Sequence, residues 1–204
     1  MRSVKSLSTA EIVVKGSRFI ALIDRLETVE SFPDFLDKSK NAYPEATHYC
    51  YAYIIGDNQQ YQKAYDDGEP VKTAGWPLLE TIKKAKLTDA AVIVVRYFGG
   101  VKLGTGGLIR AYGQAARQAL AKAEFIQKKR FDRYQIAFAY DHLSGIDHCL
   151  SESSSILKKD FADNVKYLVE FDHDQSEVLI SRLNDLTKGA LTLEFVGSEY
   201  SYRS

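Results

Sequence analysis

The chain has 204 residues, with 27 basic and 27 acidic side chains and a formal net charge of zero. That balance excludes a global field that would draw in nucleic acid or an anionic membrane, so any nucleic-acid role must rest on a local basic patch. The length suits one large domain or two small ones, with a core that needs neither metal nor disulfides.

Cys50 and Cys149 lack CxxC spacing and are expected as free thiols in a reducing cytosol. The N-terminal segment has no apolar signal core and no apolar run approaches membrane-spanning length, so a cytoplasmic protein with no membrane partner is expected. Residues 9–14 and 18–23 are short β-rich runs around Lys15-Gly16-Ser17, predicting a hairpin. A helix begins at Thr28, with Phe32, Phe35 and Leu36 at helical spacing and Pro33 in the first turn. His48–Ile55 alternates as a strand, with Tyr49, Tyr51 and Tyr53 on one face and His48, Cys50 and Ala52 on the other. No second histidine or cysteine stands near His48 at metal spacing, so no zinc site is expected. Tyr61–Tyr65 reads as the return strand. The next helix starts over residues 73–75, with Pro77 in its first turn and Leu78, Leu79 and Ile82 facing inward.

Residues 66–112 carry the chemistry. Asp66, Asp67 and Glu69 crowd three carboxylates beside Gly68 and Pro70. Residues 90–95 form an apolar run without alternation, the pattern of a strand buried on both faces, and it stops at Arg96. A glycine-rich loop follows, with Gly99, Gly100, Gly104, Gly106 and Gly107, carrying Lys102 and opening a helix. A strand, a glycine turn and a helix N-terminus leave bare N–H groups where the dipole favours an anion. Lys102 adds a movable positive charge and Arg96 a bidentate one. The same residues also fit a tight internal turn in which Arg96 pairs with Asp66, Asp67 or Glu69, and the two readings are compatible. The loop is neither a Walker A motif nor a Rossmann fingerprint. The helix after it is rich in small residues, Ala111, Gly113, Ala115, Ala116 and Ala119, which allow close approach to a sheet. Arg110 in its first turn stands against the dipole and points to a carboxylate or anion partner.

Residues 127–133 (QKKRFDR) are polar and read as a linker between two domains, 1–130 and 131–204. The second part reads β-α-β-β-α-β. Tyr134, Ile136, Phe138 and Tyr140 alternate, Leu143, Ile146 and Leu150 mark a helix, and residues 156–161 form a strand. Val165, Tyr167, Val169 and Phe171 alternate again. Asp174 with Glu177 forms a capping box for a helix through Leu179, Leu183 and Leu186, and Leu191, Leu193 and Phe195 complete the sheet. This is the ferredoxin-like order, four antiparallel strands with two helices on one face. His142, His148 and His173 are expected to be solvated.

Residues 66–70 (DDGEP), 73–75 (TAG), 96–100 (RYFGG), 102–104 (KLG) and 106–112 (GGLIRAY) resemble the signature of the YigZ/IMPACT family, as do 15–21 (KGSRFIA) and 46–53 (ATHYCYAY) upstream. One position departs: Lys72 stands where the family usually carries glycine. The resemblance implies an α+β protein, with a two-layer α/β domain like domain IV of elongation factor G followed by one like its domain V. It implies a link to translational control. Eukaryotic members use an additional N-terminal domain to bind an activator of a stress kinase, and this chain begins directly at the shared core. The first expectation is a non-enzymatic protein that binds RNA or the ribosome, without cofactor or metal. Lys15, Arg18, Arg96, Lys102 and Arg110, with Gly99, Gly100, Gly104, Gly106 and Gly107, would engage phosphate, supported by His48, Asp66, Asp67, Glu69 and Thr73. The alternatives are a nucleotide- or phosphate-binding enzyme similar to GHMP kinases, and a protein-interaction module using the aromatic surface.

Overall fold

The computed structural model describes residues 1–151 and 154–202. The chain falls into two compact units, Met1–Gln127 and Lys128–Ser204. It is α+β, and every named strand pair is antiparallel.

The first unit contains β1 (Arg2–Val4), β2 (Ser8–Val14), β3 (Ser17–Arg25), α1 (Phe32–Ala42), β4 (His48–Ile55), β5 (Tyr61–Tyr65), α2 (Gly75–Lys84), β6 (Ala90–Tyr97) and α3 (Thr105–Lys122). Its sheet has the order β2-β3-β6-β4-β5. The central strand, β6, is buried from Ala90 through Arg96, as its unbroken apolar run dictates. One face of the sheet offers Phe19, Ala21, Cys50, Ala52, Val92 and Val94 to α2 and α3. The small residues of α3 bring it onto β2 and β3.

The opposite face is also covered, so this unit is not two-layered. Ile20, Leu22, Ile93 and Val95 pack with Phe32 and Phe35 of α1. The Phe32 ring lies 4.5 Å from that of Tyr51 and 5.1 Å from that of Tyr53. The tyrosine face of β4 supplies an apolar surface too large to leave in water, and α1 covers it.

β7 (Phe125–Phe138) corrects the linker reading of residues 127–133. Its first residues pair with β1, Val4 opposite Phe125 and Arg2 opposite Gln127. From Lys128 on it is the second strand of a sheet ordered β10-β7-β9-β8, with β8 (Ser154–Phe161), β9 (Val165–Asp172) and β10 (Thr192–Tyr202). The basic residues do not solvate a linker, because partners flank the strand. Lys129 reaches Asp172 (2.7 Å), and Arg133 reaches Glu170 (2.9 Å) and Glu199. With α4 (Leu143–Ser151) and α5 (His173–Leu186) the unit has the βαββαβ order. One core joins Ile146 and Leu150 of α4 and Leu179 and Leu183 of α5 to Ile136, Tyr167, Val169 and Phe171.

Two local expectations change here. The cap of α5 is Asp172, whose carboxylate accepts from the Asp174 N–H, rather than Asp174 itself. His173 is not merely solvated, since its Nδ1 lies 2.6 Å from Oδ2 of buried Asp132. Asp132 also accepts from Ser198 Oγ (2.6 Å) and Arg130 Nε (3.0 Å). Burial acts to raise the Asp132 pKa, but the hydrogen bonds from Ser198 and His173 and the Arg130 charge outweigh it and hold the carboxyl below its usual range. Asp172 is also held low, first by its hydrogen bond from Lys129. A depressed folded pKa gives stability that is present above the unfolded aspartate value of about 3.9 and is lost as pH falls through the lower folded value. Amide protection factors of β7 and β9, with the intrinsic pH dependence of exchange divided out, are therefore expected to hold steady from neutral pH down to about pH 4 and to fall below it. Asp132→Asn should flatten that acid limb, and an acid limb unchanged in this variant would refute the assignment.

Candidate functional site

The site forms where the loop before α2, the end of β6 and the loop before α3 meet. Asp66 organises the first of these. Its Oδ1 accepts the N–H groups of Ala74 and Gly75, both at 2.9 Å, and its Oδ2 accepts that of Lys72 at 2.9 Å. The carboxylate is thus the built-in anion at the N-terminus of α2. Asp67 accepts the Tyr49 N–H at 2.8 Å, and its carbonyl lies 2.7 Å from His48 Nδ1. The Thr73 hydroxyl donates to the Pro70 carbonyl at 2.6 Å.

Glu69 is the carboxylate that meets Arg96. Its side chain is 4% exposed and accepts from Arg96 Nη1 at 2.5 Å and from the Tyr112 hydroxyl at 2.7 Å. His48 Nε2 stands 3.8 Å from the same oxygen. Arg96 Nη2 donates to Ser17 Oγ at 3.3 Å, and that oxygen also accepts the Gly99 N–H at 3.1 Å. Arg96 Nε is buried without a hydrogen-bond partner, and the guanidinium lies between the rings of Phe19 and Phe98 at 5.3 and 5.5 Å. Ring faces offset part of that deficit. Cys50 donates to the Asp66 carbonyl at 2.9 Å and lies 3.3 Å from the Tyr112 hydroxyl. Burial pushes the Cys50 thiol and the Tyr112 phenol far above their usual ranges, so both keep their protons and Tyr112 serves as a donor. The roles of Tyr112 and Ser17 escaped sequence reasoning.

The Lys15-Gly16 turn lies directly against the glycine loop. A methyl group on Gly99 would sit 1.9 Å from the Gly16 carbonyl carbon. Gly100 and Gly104 take left-handed backbone, with φ 83° and 71°. Gly104 is the N-cap of α3, no side chain caps that helix, and its first turn holds no acidic residue. The first N–H groups of α3, at Thr105, Gly106 and Gly107, therefore have no intrahelical partner. A cleft of about 420 Å³ opens there, lined among others by His48, Glu69, Arg96, Phe98, Lys102 and Thr105.

The five predicted cations do not converge on this cleft. Arg96 is 5% exposed and committed to Glu69. Arg18 is bound to Glu11 on the surface, at 2.8 and 3.2 Å. Lys15 is exposed at the hairpin, and Arg110 is exposed on the second turn of α3 rather than the first, because the helix begins at Thr105. Lys102 is exposed and lines the cleft. Among the described residues no carboxylate pairs with Arg110 or Lys102.

Lys72 adopts φ 62°, a region in which an L side chain crowds the backbone by about 1–2 kcal/mol and glycine does not. Lys72→Gly keeps the N–H bond to Asp66 and is expected to stabilise the first unit by about 1 kcal/mol in denaturant unfolding. A loss of stability would show that the lysine side chain offsets its strain by contacts of its own.

Together, the covered five-stranded sheet, the Arg96–Glu69 pair and the glycine loop opening α3 describe an α+β protein whose first unit carries a cleft at the start of α3. The family model described as Impact N-terminal domain matches residues 15–120. The chain belongs to the IMPACT family. It is 39% identical over 188 residues to the IMPACT family member YvyE of Bacillus subtilis, covering 92% of this chain and 87% of that one. It is 33% identical over 183 residues to the IMPACT family member YigZ of Escherichia coli, covering 88% and 90%. A solved structure titled as that of a hypothetical protein aligns with a TM-score of 0.70 and 31% identity, covering 96% of each chain. Among the described residues, no helix is long and apolar enough to cross a membrane.

Proposed function

We propose that the chain is a non-enzymatic RNA- or ribosome-binding protein acting in translation, with phosphate docking at the N-terminus of α3. The observation that carries this reading is the uncapped start of that 18-residue helix beside unpaired Lys102, opening into the cleft. Aligned peptide dipoles and bare N–H groups favour an anion there, and Lys102 adds a full charge. Glu69 neutralises Arg96, so the buried guanidinium shapes the cleft rather than supplying its field. Exposed Phe98 at the rim offers a face for base stacking. The family resemblance implies a likeness to domains IV and V of elongation factor G, a factor that works on the ribosome, and this supports the same reading, in a cytoplasmic protein.

The carboxylates weigh against the kinase-like alternative. Both oxygens of Asp66 accept backbone N–H groups, Asp67 Oδ2 accepts the Tyr49 N–H, and Oε1 of Glu69 accepts from Arg96 and Tyr112. A magnesium ion at Asp66 would have to displace these bonds, and at Glu69 it would share the carboxylate with the Arg96 charge.

Co-sedimentation with ribosomes and with single-stranded RNA across a salt series tests the proposal. Binding that weakens steeply with salt is expected, and Lys102→Ala with Arg110→Ala should make the slope of log K against log salt shallower by about 1–2. Binding that survives both substitutions at moderate salt would refute this contact set.

A further inference from the structure

A second concavity lies between α2 and α3 and shares no lining residue with the glycine-loop cleft. Its volume is about 460 Å³. The helices approach closely at its base, where a methyl group on Gly113 would lie 3.9 Å from Pro77 Cβ. Trp76, the chain's only tryptophan, is 46% exposed along it, and Ile109 is 45% exposed. Leu120, only 8% exposed, lines it as part of the core beneath. The one hydroxyl of the lining, on Thr81, already donates to the Pro77 carbonyl at 2.8 Å.

The rim has the opposite character. Lys72, Lys84 and Arg117 line it, against the single carboxylate of Glu80. The ammonium groups of Lys72 and Lys83 lie 5.9 and 5.6 Å from the Trp76 ring. In a chain with no net charge this is a local excess of positive charge around exposed apolar surface. Lys72 holds its place at a left-handed backbone position where glycine would be unstrained. That strain points to a use for the side chain.

We propose that this groove binds an acidic amphipathic helix of a partner protein. Apolar side chains at i and i+3 or i+4 would settle on Trp76 and Ile109, and flanking carboxylates would meet Lys72, Lys84 and Arg117. The floor favours this occupant over nucleic acid. It offers apolar surface and no unspent hydroxyl for base edges, so a nucleic acid would gain phosphate contacts at the rim and stacking on one ring but nothing from the rest of the floor. The proposal stands independently of phosphate binding at α3, because the residues involved are different.

The test uses the full chain and a synthetic peptide of about 16 residues, with leucines at helical spacing and glutamates on the flanks. Trp76 emission and the anisotropy of labelled peptide report binding. A saturable blue shift of Trp76 is expected. Lys84→Glu with Arg117→Glu should weaken binding about tenfold or more. Lys72→Gly should weaken it while raising the unfolding midpoint, and Lys102→Ala should leave it unchanged. These are surface positions, and unaltered circular dichroism confirms that each variant is folded. No saturable response at about 1 mM peptide, a limit of about −4 kcal/mol, would overturn the proposal. So would equal affinity for a peptide with lysines in place of the glutamates. A Trp76 shift with oligoadenylate but not with the peptide would assign the groove to nucleic acid instead.

Discussion

Gly99→Ala is expected to cost the first unit about 3 kcal/mol or more. The added methyl would lie 1.9 Å from the Gly16 carbonyl carbon and 2.2 Å from the Ser17 nitrogen, both backbone atoms of a paired hairpin. No side chain can rotate away to make room, so either the β2–β3 turn or the loop after β6 must move. Movement of either also breaks the bond from the Gly99 N–H to Ser17 Oγ, and with it one support of Arg96. Gly100→Ala is the natural control. Gly100 has φ 83° but open space around it, so only the left-handed strain of about 1–2 kcal/mol applies. Denaturant unfolding followed by Trp76 emission separates the two. Equal losses would show that the close approach of the two loops does not constrain the fold.

Glu69→Ala should be of similar size for a different reason. The Arg96 and Glu69 side chains are 6% and 4% exposed, and removing one member of such a pair leaves an uncompensated buried charge at about 3–5 kcal/mol. Tyr112 loses its acceptor in the same step. Glu69→Gln retains the shape and one acceptor oxygen, so a smaller loss is expected. Combining Glu69→Leu with Arg96→Met removes both charges and should recover much of the stability. Urea unfolding of the three variants would show this order, and a Glu69→Ala loss within about 0.5 kcal/mol would mean that solvent reaches Arg96. Loss of Glu69 also uncovers the Arg96 charge beside the cleft, so the folded fraction of Glu69→Gln should bind RNA more tightly.

The parts of the fold that could be read in the sequence are those set by local pattern. β6 announced itself because a strand covered on both faces has no reason to alternate. β4 did so because its tyrosines and its small residues keep to opposite sides. The small side chains of α3 gave away its close seat on the sheet. What escaped was decided by distant residues. β1 is three residues long and carries no periodicity of its own, and its pairing is made with residues more than a hundred positions away. Residues 127–133 looked like a linker because, apart from Arg130 with Asp132, their charges find partners only far along the sequence. Asp172, Glu170 and Glu199 reach them only through the register of β9 and β10.

The candidate site divides along the same line. The glycine loop and Lys102 are local features and were legible. Which carboxylate holds Arg96 was not, because Asp66 and Glu69 are near neighbours in sequence and only the path of the turn sends one to the α2 N-terminus and the other to the guanidinium. Arg18 looked like a phosphate ligand until the β2–β3 register placed Glu11 diagonally across from it.

Amide chemical shifts of the isotope-labelled chain, followed as a short single-stranded RNA is added at low salt, report most directly on where phosphate docks. The largest movements are expected at Thr105, Gly106, Gly107 and Lys102, and Lys102→Ala with Arg110→Ala should abolish most of them. RNA that binds while those four amides stay still would contradict a phosphate seat at the start of α3.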